Sequence, residues 1–246
     1  MECSIPLALR QEVSRCLLCY DAPCSKACPA KNKPDRFLRA LYFQNLLGAA
    51  RITVTENPLA AKCAMSCKGN AYCQKACIRR KIDRPIDIPS IQAYLAKIAE
   101  REELLPKLET KTIFHISIIG SSISAAVTAI FLSKAGCDVN VYCPDAMSWL
   151  LQAEGKTILQ QYNIALKQVI SIQDECIWNH EADIFVLTNP IEMGSNNKKV
   201  YIACELNSEN KLDVVSVRQG RMVAQKILKY TQEREEENHE NYRYVH

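Results

Sequence analysis

Two groups of cysteines near the N-terminus constrain this chain more than any other feature. The first group has intervals of two, four and three residues and ends in cysteine–proline: Cys16, Cys19, Cys24, Cys28. The second has intervals of three, five and three residues: Cys63, Cys67, Cys73, Cys77. Together they hold eight of the thirteen cysteines. A chain with thiols grouped in this way uses them either as disulfides or as metal ligands.

The rest of the composition favours metal ligands. The number of cysteines is odd, and Met1–Leu9 lacks the basic start and apolar run of a signal peptide. Clustered thiols in a reducing compartment more often bind metal than form disulfides. The formal charge of +4 is mild and no basic block stands out, which argues against a nucleic-acid partner. No apolar run approaches the ~18 residues of a membrane span. We therefore expect a cytoplasmic protein without a membrane partner.

The first part of the chain has a helical pattern. Apolar side chains recur at intervals of three and four after Pro34, which predicts a helix. Three further helices are predicted: Gln11–Leu18, Gly48–Glu56, Ile91–Glu103. Ser90 is expected to cap the last of them. Residues 1–110 are therefore expected to form a small helical domain whose cysteine-bearing loops need metal to hold them.

The pattern changes to α/β from residue 111. A β-branched strand, an apolar helix and a second strand follow one another: Ile113–Ile119, Ser124–Ala135, Asp138–Tyr142. Three more strands are predicted: Ile184–Thr188, Val200–Cys204, Leu212–Val215. A closing amphipathic helix is expected from about Val217 to Arg234. The sequence thus predicts an α/β domain at 111–230. A charged tail follows at 231–246 and is expected to be disordered.

The cysteine spacing favours an iron–sulfur cluster over zinc and leaves both open. Structural zinc usually takes four ligands from paired knuckles with two to four residues between the cysteines. Here only Cys16 and Cys19 have the interval of two. Iron–sulfur clusters accept mixed intervals and often use a cysteine–proline as a remote ligand, the form of Cys28-Pro29. Thiolates are also the soft ligands that suit this chemistry.

Several separated stretches then resemble one known domain. They are RCLLCYDAPCSKACPA at 15–30, NPLAAKCAMSC at 57–67, YCQKACIRR at 72–80 and RPIDIPSIQAY at 84–94. In this order they resemble the N-terminal double-cluster domain of the dihydropyrimidine dehydrogenase and glutamate synthase small subunit family. The resemblance implies an α-helical iron–sulfur domain that holds two [4Fe–4S] clusters with crossed ligation.

The resemblance also implies which residues bind each cluster. The first cluster would take one cysteine from the second group: Cys16, Cys19, Cys24, Cys77. The second would take a glutamine as its fourth ligand: Cys28, Cys67, Cys73, Gln92. Cys63 then lies outside both sets, although spacing alone would have included it. Without the resemblance, Gln92 would be expected to be an exposed polar residue on a helix.

The second half resembles a truncated flavin-binding domain of the same family. Its glycine fingerprint, G-x-G-x-x-G/A, is degenerate: Gly120 keeps the first position and Ala125 the last, but Ser122 replaces the middle glycine. A side chain there obstructs the approach of the backbone to a pyrophosphate. Tyr142-Cys143 lacks the expected ribose-binding acid, and the late flavin motif is reduced to Ala203-Cys204-Glu205. We therefore expect a Rossmann-like, degenerate FAD-binding frame without FAD.

These features predict an iron–sulfur electron-transfer subunit of a multisubunit oxidoreductase. It would relay single electrons through two [4Fe–4S] clusters to or from a partner flavoprotein or catalytic subunit, with no catalytic residues of its own. A second hypothesis is a small FAD-dependent NAD(P)H oxidoreductase with a reduced flavin site. A third is an interaction or scaffold subunit in which metal only stabilises the fold.

Overall fold

The computed structural model describes residues 5–67, 72–105, 114–170, 182–187, 199–202 and 213–243. The chain divides into two compact units. The first comprises Met1–Lys107 with Asn210–Arg218, and the second comprises Leu108–Glu209 with Gln219–His246. The expected flavin motif at 203–205 lies outside the described residues. Within those residues, no helix is long and apolar enough to cross a membrane.

The first unit is helical. Its helices, in chain order, are α1 (Leu7–Ser14), α2 (Pro23–Ala27), α3 (Pro34–Tyr42), α4 (Leu46–Glu56), α5 (Ala60–Cys67), α6 (Tyr72–Lys75) and α7 (Ile88–Arg101). A 3₁₀ turn, Ile78–Lys81, follows Cys77. The predicted helix at Gln11–Leu18 therefore begins earlier and ends at Ser14, which leaves Cys16 and Cys19 in a loop.

Side-chain caps determine where two of these helices begin. Asn45 Oδ1 accepts a hydrogen bond from Gly48 N at 2.8 Å at the start of α4. Asp87 Oδ1 accepts one from Ser90 N at 3.4 Å at the start of α7. The prediction that Ser90 caps this helix was wrong, because α7 begins earlier, at Ile88. Pro89 fits into the first turn, where the backbone N–H that proline lacks would have no acceptor within the helix.

The core of the first unit forms where α3, α4 and α7 pack together. Its fully buried side chains include Phe37, Leu38, Ala50, Ile91 and Leu95. They recur along each helix at the three- and four-residue intervals seen in the sequence. Four cysteines from the two groups pack against this core as partly buried side chains: Cys16, Cys24, Cys73, Cys77.

The second unit contains a parallel sheet. Its strands are β1 (His115–Ile119), β2 (Asp138–Cys143), β3 (Ala165–Gln168), β4 (Ile184–Leu187) and β5 (Lys199–Ile202). Their order is β3-β2-β1-β4-β5, and every neighbouring pair is parallel. Helices α8 (Ile123–Lys134) and α9 (Ala153–Gln161) connect successive strands. The crossover β1–α8–β2 confirms the predicted order of strand, helix and strand.

The sheet includes elements that the sequence analysis missed. Helix α9 and strand β3 were not predicted. The strand predicted at Leu212–Val215 is wrong, because the described residues from Asp213 onwards are helical. The final helix, α10 (Asp213–Arg243), also extends beyond the expected end at Arg234. Residues 231–243, which were expected to belong to a disordered tail, are therefore helical.

Helix α8 is buried on almost every side, since nine of its twelve residues are buried. Within the second unit it packs closely on α10 at Gly220. A Cβ added to Gly220 would lie 2.5 Å from Ser124 O, and Thr128 Oγ1 donates a hydrogen bond to Gly220 O at 3.1 Å. The close approach of the two helices therefore requires a glycine at this point.

Candidate metal centres

One cavity in the first unit is lined by the complete first set of predicted ligands: Cys16, Cys19, Cys24, Cys77. They come from the loop after α1, from α2 and from the residue before the 3₁₀ turn. Leu38, Ile86 and Ile88 line the same cavity. The structure therefore brings together four cysteines from both groups beside an apolar wall.

Residues with left-handed backbone lie in the loop that carries Cys16 and Cys19 and leads into α2, where Cys24 lies. Leu18 has a φ of 50° and Ala22 a φ of 44°. This conformation costs a residue other than glycine roughly 1–2 kcal/mol. Ala22 N also donates a hydrogen bond to Cys19 O at 3.3 Å. Strained backbone of this kind is typical of binding sites, and here the left-handed residues alternate with cysteines that line one cavity.

Burial makes the thiols of the first cavity hard to ionise. It raises the pKa of Cys24 to about 11, and it also raises the pKa of Cys16. Cys19 and Cys77 raise the pKa of Cys16 further, which shows that cysteines from both groups are near neighbours. Such thiols become thiolates when the positive charge of a metal compensates for the lost hydration.

A second cavity is lined by the complete second set of predicted ligands: Cys28, Cys67, Cys73, Gln92. Cys67 ends α5, Cys73 lies in α6 and Gln92 lies on α7. Ile88 lines this cavity and the first one as well. The two candidate sites are therefore neighbours that share one apolar side chain.

The thiols of the second cavity also influence one another. Burial, with smaller contributions from Cys28, Cys67 and Cys24, raises the pKa of Cys73 to about 12. Burial raises the pKa of Cys67 to about 11, with the next contribution from Cys28. The effect of Cys24 on Cys73 crosses between the two sets, which agrees with the shared wall at Ile88.

Gln92 is buried, contrary to the exposed position that its residue type alone would suggest. Its side chain is 6% exposed. Gln92 Nε2 donates a hydrogen bond to Ala60 O at 2.8 Å, and Gln92 Oε1 accepts one from Asn32 Nδ2 at 3.1 Å. The side chain is thus held between α5 and the loop after Cys28, at the wall of the second cavity.

Cys63 also lines the second cavity, although the predicted ligand sets exclude it. It is 1% exposed, and burial raises the pKa of its thiol to about 12. Cys63 lies four positions before Cys67 on α5, and this is the sequence signal for its place in the cavity, because residues one turn apart share a helix face. Asn32 lines the cavity too, and no sequence pattern singled it out.

The thiols surround cavities and do not converge on one point. Among the residues that the structure describes, no three His, Cys, Asp or Glu side chains are placed to hold a single metal ion. A tetrahedral zinc ion requires four donors within about 2.3 Å of one centre, whereas each thiolate of a [4Fe–4S] cluster binds a different iron. Cavities with a thiol-rich wall fit the larger group better than a single ion.

In the degenerate glycine loop of the second unit, polar groups form hydrogen bonds with other groups of the same unit. Gly120 N donates a hydrogen bond to Tyr142 O at 2.9 Å. Ser122 caps α8, with its Oγ accepting from Ala125 N at 3.2 Å and paired with Ser124 Oγ at 2.8 Å. The side chain that replaces the middle glycine therefore binds an N–H of the helix start, the part that receives a phosphate in dinucleotide-binding folds.

The segment after β2 also packs onto this loop. Asp145 N donates to Ser121 Oγ at 3.1 Å, and Ser148 Oγ donates to Ser121 O at 2.7 Å. The Cys143 thiol, at the end of β2, lies 3.4 Å from Ser121 Oγ. The residues that follow β2 therefore donate hydrogen bonds to both the side chain and the backbone carbonyl of Ser121.

Comparison with known families agrees with the cavities. Residues 5–104 match the family model described as dihydropyrimidine dehydrogenase domain II, 4Fe-4S cluster. These residues form a 4Fe-4S domain of this type. The resemblance of the N-terminal part is thereby confirmed, and the match favours iron over zinc.

Curated bacterial proteins also resemble this chain over more than the 4Fe-4S domain. It is 39% identical over 142 residues to the NAD-dependent dihydropyrimidine dehydrogenase subunit PreT of Escherichia coli O157:H7, which covers 57% of this chain and 34% of that protein. The PreT homolog of Salmonella typhi is 38% identical over 148 residues, or 59% of this chain and 36% of that protein. The chain therefore spans about a third of the length of these relatives.

Proposed function

We propose that this chain is an electron-transfer subunit of an oxidoreductase that carries two [4Fe–4S] clusters. The observation that supports this most is the pair of adjacent cavities, each lined by one complete predicted ligand set. In this proposal, the first cluster is bound by Cys16, Cys19, Cys24 and Cys77. The second is bound by Cys28, Cys67, Cys73 and Gln92.

When bound, the clusters supply reversible one-electron chemistry. The role of the chain is to hold them close together and to limit access of water. Ile88 lines both cavities, and Leu38 and Ile86 line the first. This apolar wall lowers the local dielectric, which is one of the properties that determine a cluster's potential. Gln92 adds a neutral ligand, so the second cluster would carry less negative charge than one with four thiolates.

The second unit is proposed to be a Rossmann-like frame that has lost its flavin site. Its parallel strand order, β3-β2-β1-β4-β5, is that of dinucleotide-binding folds. The cap formed by Ser122 and the hydrogen bonds to Ser121 support the loss of the phosphate site. In this account the frame serves as a platform for assembly with another subunit.

The partner is proposed to be a flavoprotein or catalytic subunit of a dehydrogenase. The relatives are named as subunits of an NAD-dependent dihydropyrimidine dehydrogenase, which supports a role in a complex of this kind. Electron transfer between redox centres of other subunits needs only one-electron carriers and a docking surface. This chain is proposed to provide both.

Iron, sulfide and flavin analysis of the anaerobically purified chain tests the proposal. We expect about eight irons per chain and no flavin, because each [4Fe–4S] cluster holds about four irons. About four irons would contradict the two-cluster assignment. Tightly bound FAD would contradict the degenerate frame and would favour the alternative of a small FAD-dependent NAD(P)H oxidoreductase.

A further inference from the structure

A pair of buried amides lies at the wall of the second cavity. Asn32 is 4% exposed and Gln92 is 6% exposed. Asn32 Nδ2 donates a hydrogen bond to Gln92 Oε1 at 3.1 Å, while Gln92 Nε2 donates to Ala60 O at 2.8 Å. The two hydrogen bonds together determine which end of the Gln92 amide is oxygen and where it lies.

Gln92 Oε1 keeps the capacity to bind a metal in this arrangement. A carbonyl oxygen has two lone pairs, and Asn32 uses one of them. The amide nitrogen cannot serve as a ligand, because Ala60 O already engages it. Rotation of the Gln92 amide by half a turn would break both hydrogen bonds and would place the nitrogen where the oxygen lies.

Asn32 has a second property that points to a bound group. Its Oδ1 is buried and has no hydrogen-bond partner. An unsatisfied buried acceptor costs roughly 1–3 kcal/mol, and such groups in native proteins are commonly explained by a bound ion or water. Asn32 lines the cavity together with Cys28, Cys67 and Cys73.

We propose that Asn32 is a positioning residue that directs Gln92 Oε1 to the fourth iron of the second cluster. The inference rests on the proposed two-cluster function and adds a role for Asn32 to it. Loss of the Asn32 amide leaves the Gln92 amide held by its hydrogen bond to Ala60 O alone, which weakens the one neutral ligand of the cluster. A one-electron oxidant such as ferricyanide would then take one electron from the cluster, and the iron that Gln92 binds would be the first to leave, as Fe²⁺, so that a three-iron cluster remains.

Electron paramagnetic resonance of the holo-chain after mild anaerobic oxidation tests the proposal. Asn32→Leu removes the amide and keeps a similar volume, and we expect it to increase the three-iron signal several-fold over wild type. Gln92→Leu is expected to give at least as strong a signal. Asn32→Leu combined with Gln92→Leu should match Gln92→Leu alone, because Asn32 acts only through Gln92. Additivity in the double variant would overturn the proposal.

Two further variants separate positioning from general damage. Thr53→Val removes a buried hydrogen bond to Ala49 O in the same unit, away from the cavity, and should leave the signal at the wild-type level. Asn32→Ala should behave like Asn32→Leu, which covers the case in which leucine disturbs the fold. The first cluster should be unchanged in every variant.

The outcomes also distinguish this proposal from the one on which it rests. Wild type with about four irons would contradict the two-cluster function. Wild type with about eight irons, and an Asn32→Ala variant with no extra three-iron signal, would overturn the role of Asn32 alone.

Discussion

Cys63 and Cys67 lie one helical turn apart on α5, and both line the second cavity. Cys63 is fully buried, whereas Cys67, at the end of the helix, is half-buried. Burial is the main cause that raises the pKa of both thiols; Cys28 is the next cause for Cys67 and a lesser one for Cys63. The second cavity is thus lined by four cysteines and by Gln92, so that Cys63 and Gln92 are the two candidates for its fourth ligand position.

Alanine substitutions at these two positions are expected to have different effects. Cys67→Ala should remove the second cluster and with it about four irons per chain. Cys63→Ala should leave the iron content unchanged, because the proposed ligand sets are complete without it. Iron analysis with visible absorption measures both. Loss of about four irons in Cys63→Ala together with full iron in Gln92→Leu would show that Cys63 is the fourth ligand.

Glu12 is predicted to stabilise the first unit. Its carboxylate accepts hydrogen bonds from Arg15 at 2.7 Å, from Arg84 at 2.6 Å and from Asp87 N at 2.9 Å. Hydrogen bonds to a charged group contribute roughly 1.5–3 kcal/mol each in favourable cases. Glu12→Gln is therefore expected to lower the free energy of unfolding by about 1–3 kcal/mol at neutral pH, measured by anaerobic chemical denaturation.

The stabilisation that Glu12 provides should decrease as the pH falls. Burial alone would raise the pKa of Glu12, but its hydrogen bonds with Asp87 N, Arg15 and Arg84 lower it below 4.5. The stabilisation is present above that ordinary value and is lost as the pH falls through the folded-state pKa. The difference between wild type and Glu12→Gln should shrink below pH 4.5. A difference that stays constant there would contradict the assignment.

Gly220→Ala is expected to destabilise the second unit. The added Cβ would lie 2.5 Å from Ser124 O and 2.9 Å from Val127 Cβ. Overpacking of this kind typically costs about 1–3 kcal/mol, which exceeds the gain of up to about 1 kcal/mol in helix propensity. Thermal unfolding measures the change, with the exposed Gln225→Ala on the same helix as a control expected to be nearly neutral.

The second unit is expected to be inactive toward flavin and nicotinamide. Titration of the holo-chain with FAD should show no saturable binding, since Ser122 Oγ occupies the N–H of Ala125. NAD(P)H oxidation with added FAD should not exceed the rate of free FAD. Flavin-dependent turnover by the chain would reject the electron-transfer assignment in favour of the small oxidoreductase.

The two groups of cysteines could be recognised from the sequence, because residues that bind one metal group often lie close together along the chain. The intervals around Cys16 and Cys19 indicated clustered thiols, and the resemblance assigned Cys77 and Gln92 to separate sets. Spacing alone could not separate the sets, because their members meet only through tertiary packing. Asn32 was not predicted at all, since its role depends on a contact with Gln92 across the fold.

The errors in secondary structure have local causes. Ser90 follows Pro89 and was taken as a cap, although a proline in the first turn allowed α7 to begin at Ile88. The apolar residues around Val214 were assigned to a strand, but they form the first turn of α10. Short apolar runs do not distinguish a buried strand from a buried helix turn, so tertiary packing decides.

In the proposed arrangement, one chain holds two adjacent [4Fe–4S] clusters on either side of Ile88. Electron paramagnetic resonance of the fully reduced, anaerobically purified chain can count these clusters and detect their proximity. We predict a spectrum that integrates to one spin for each of two clusters and is broadened by magnetic interaction between them. A simple spectrum that integrates to a single cluster would contradict the account.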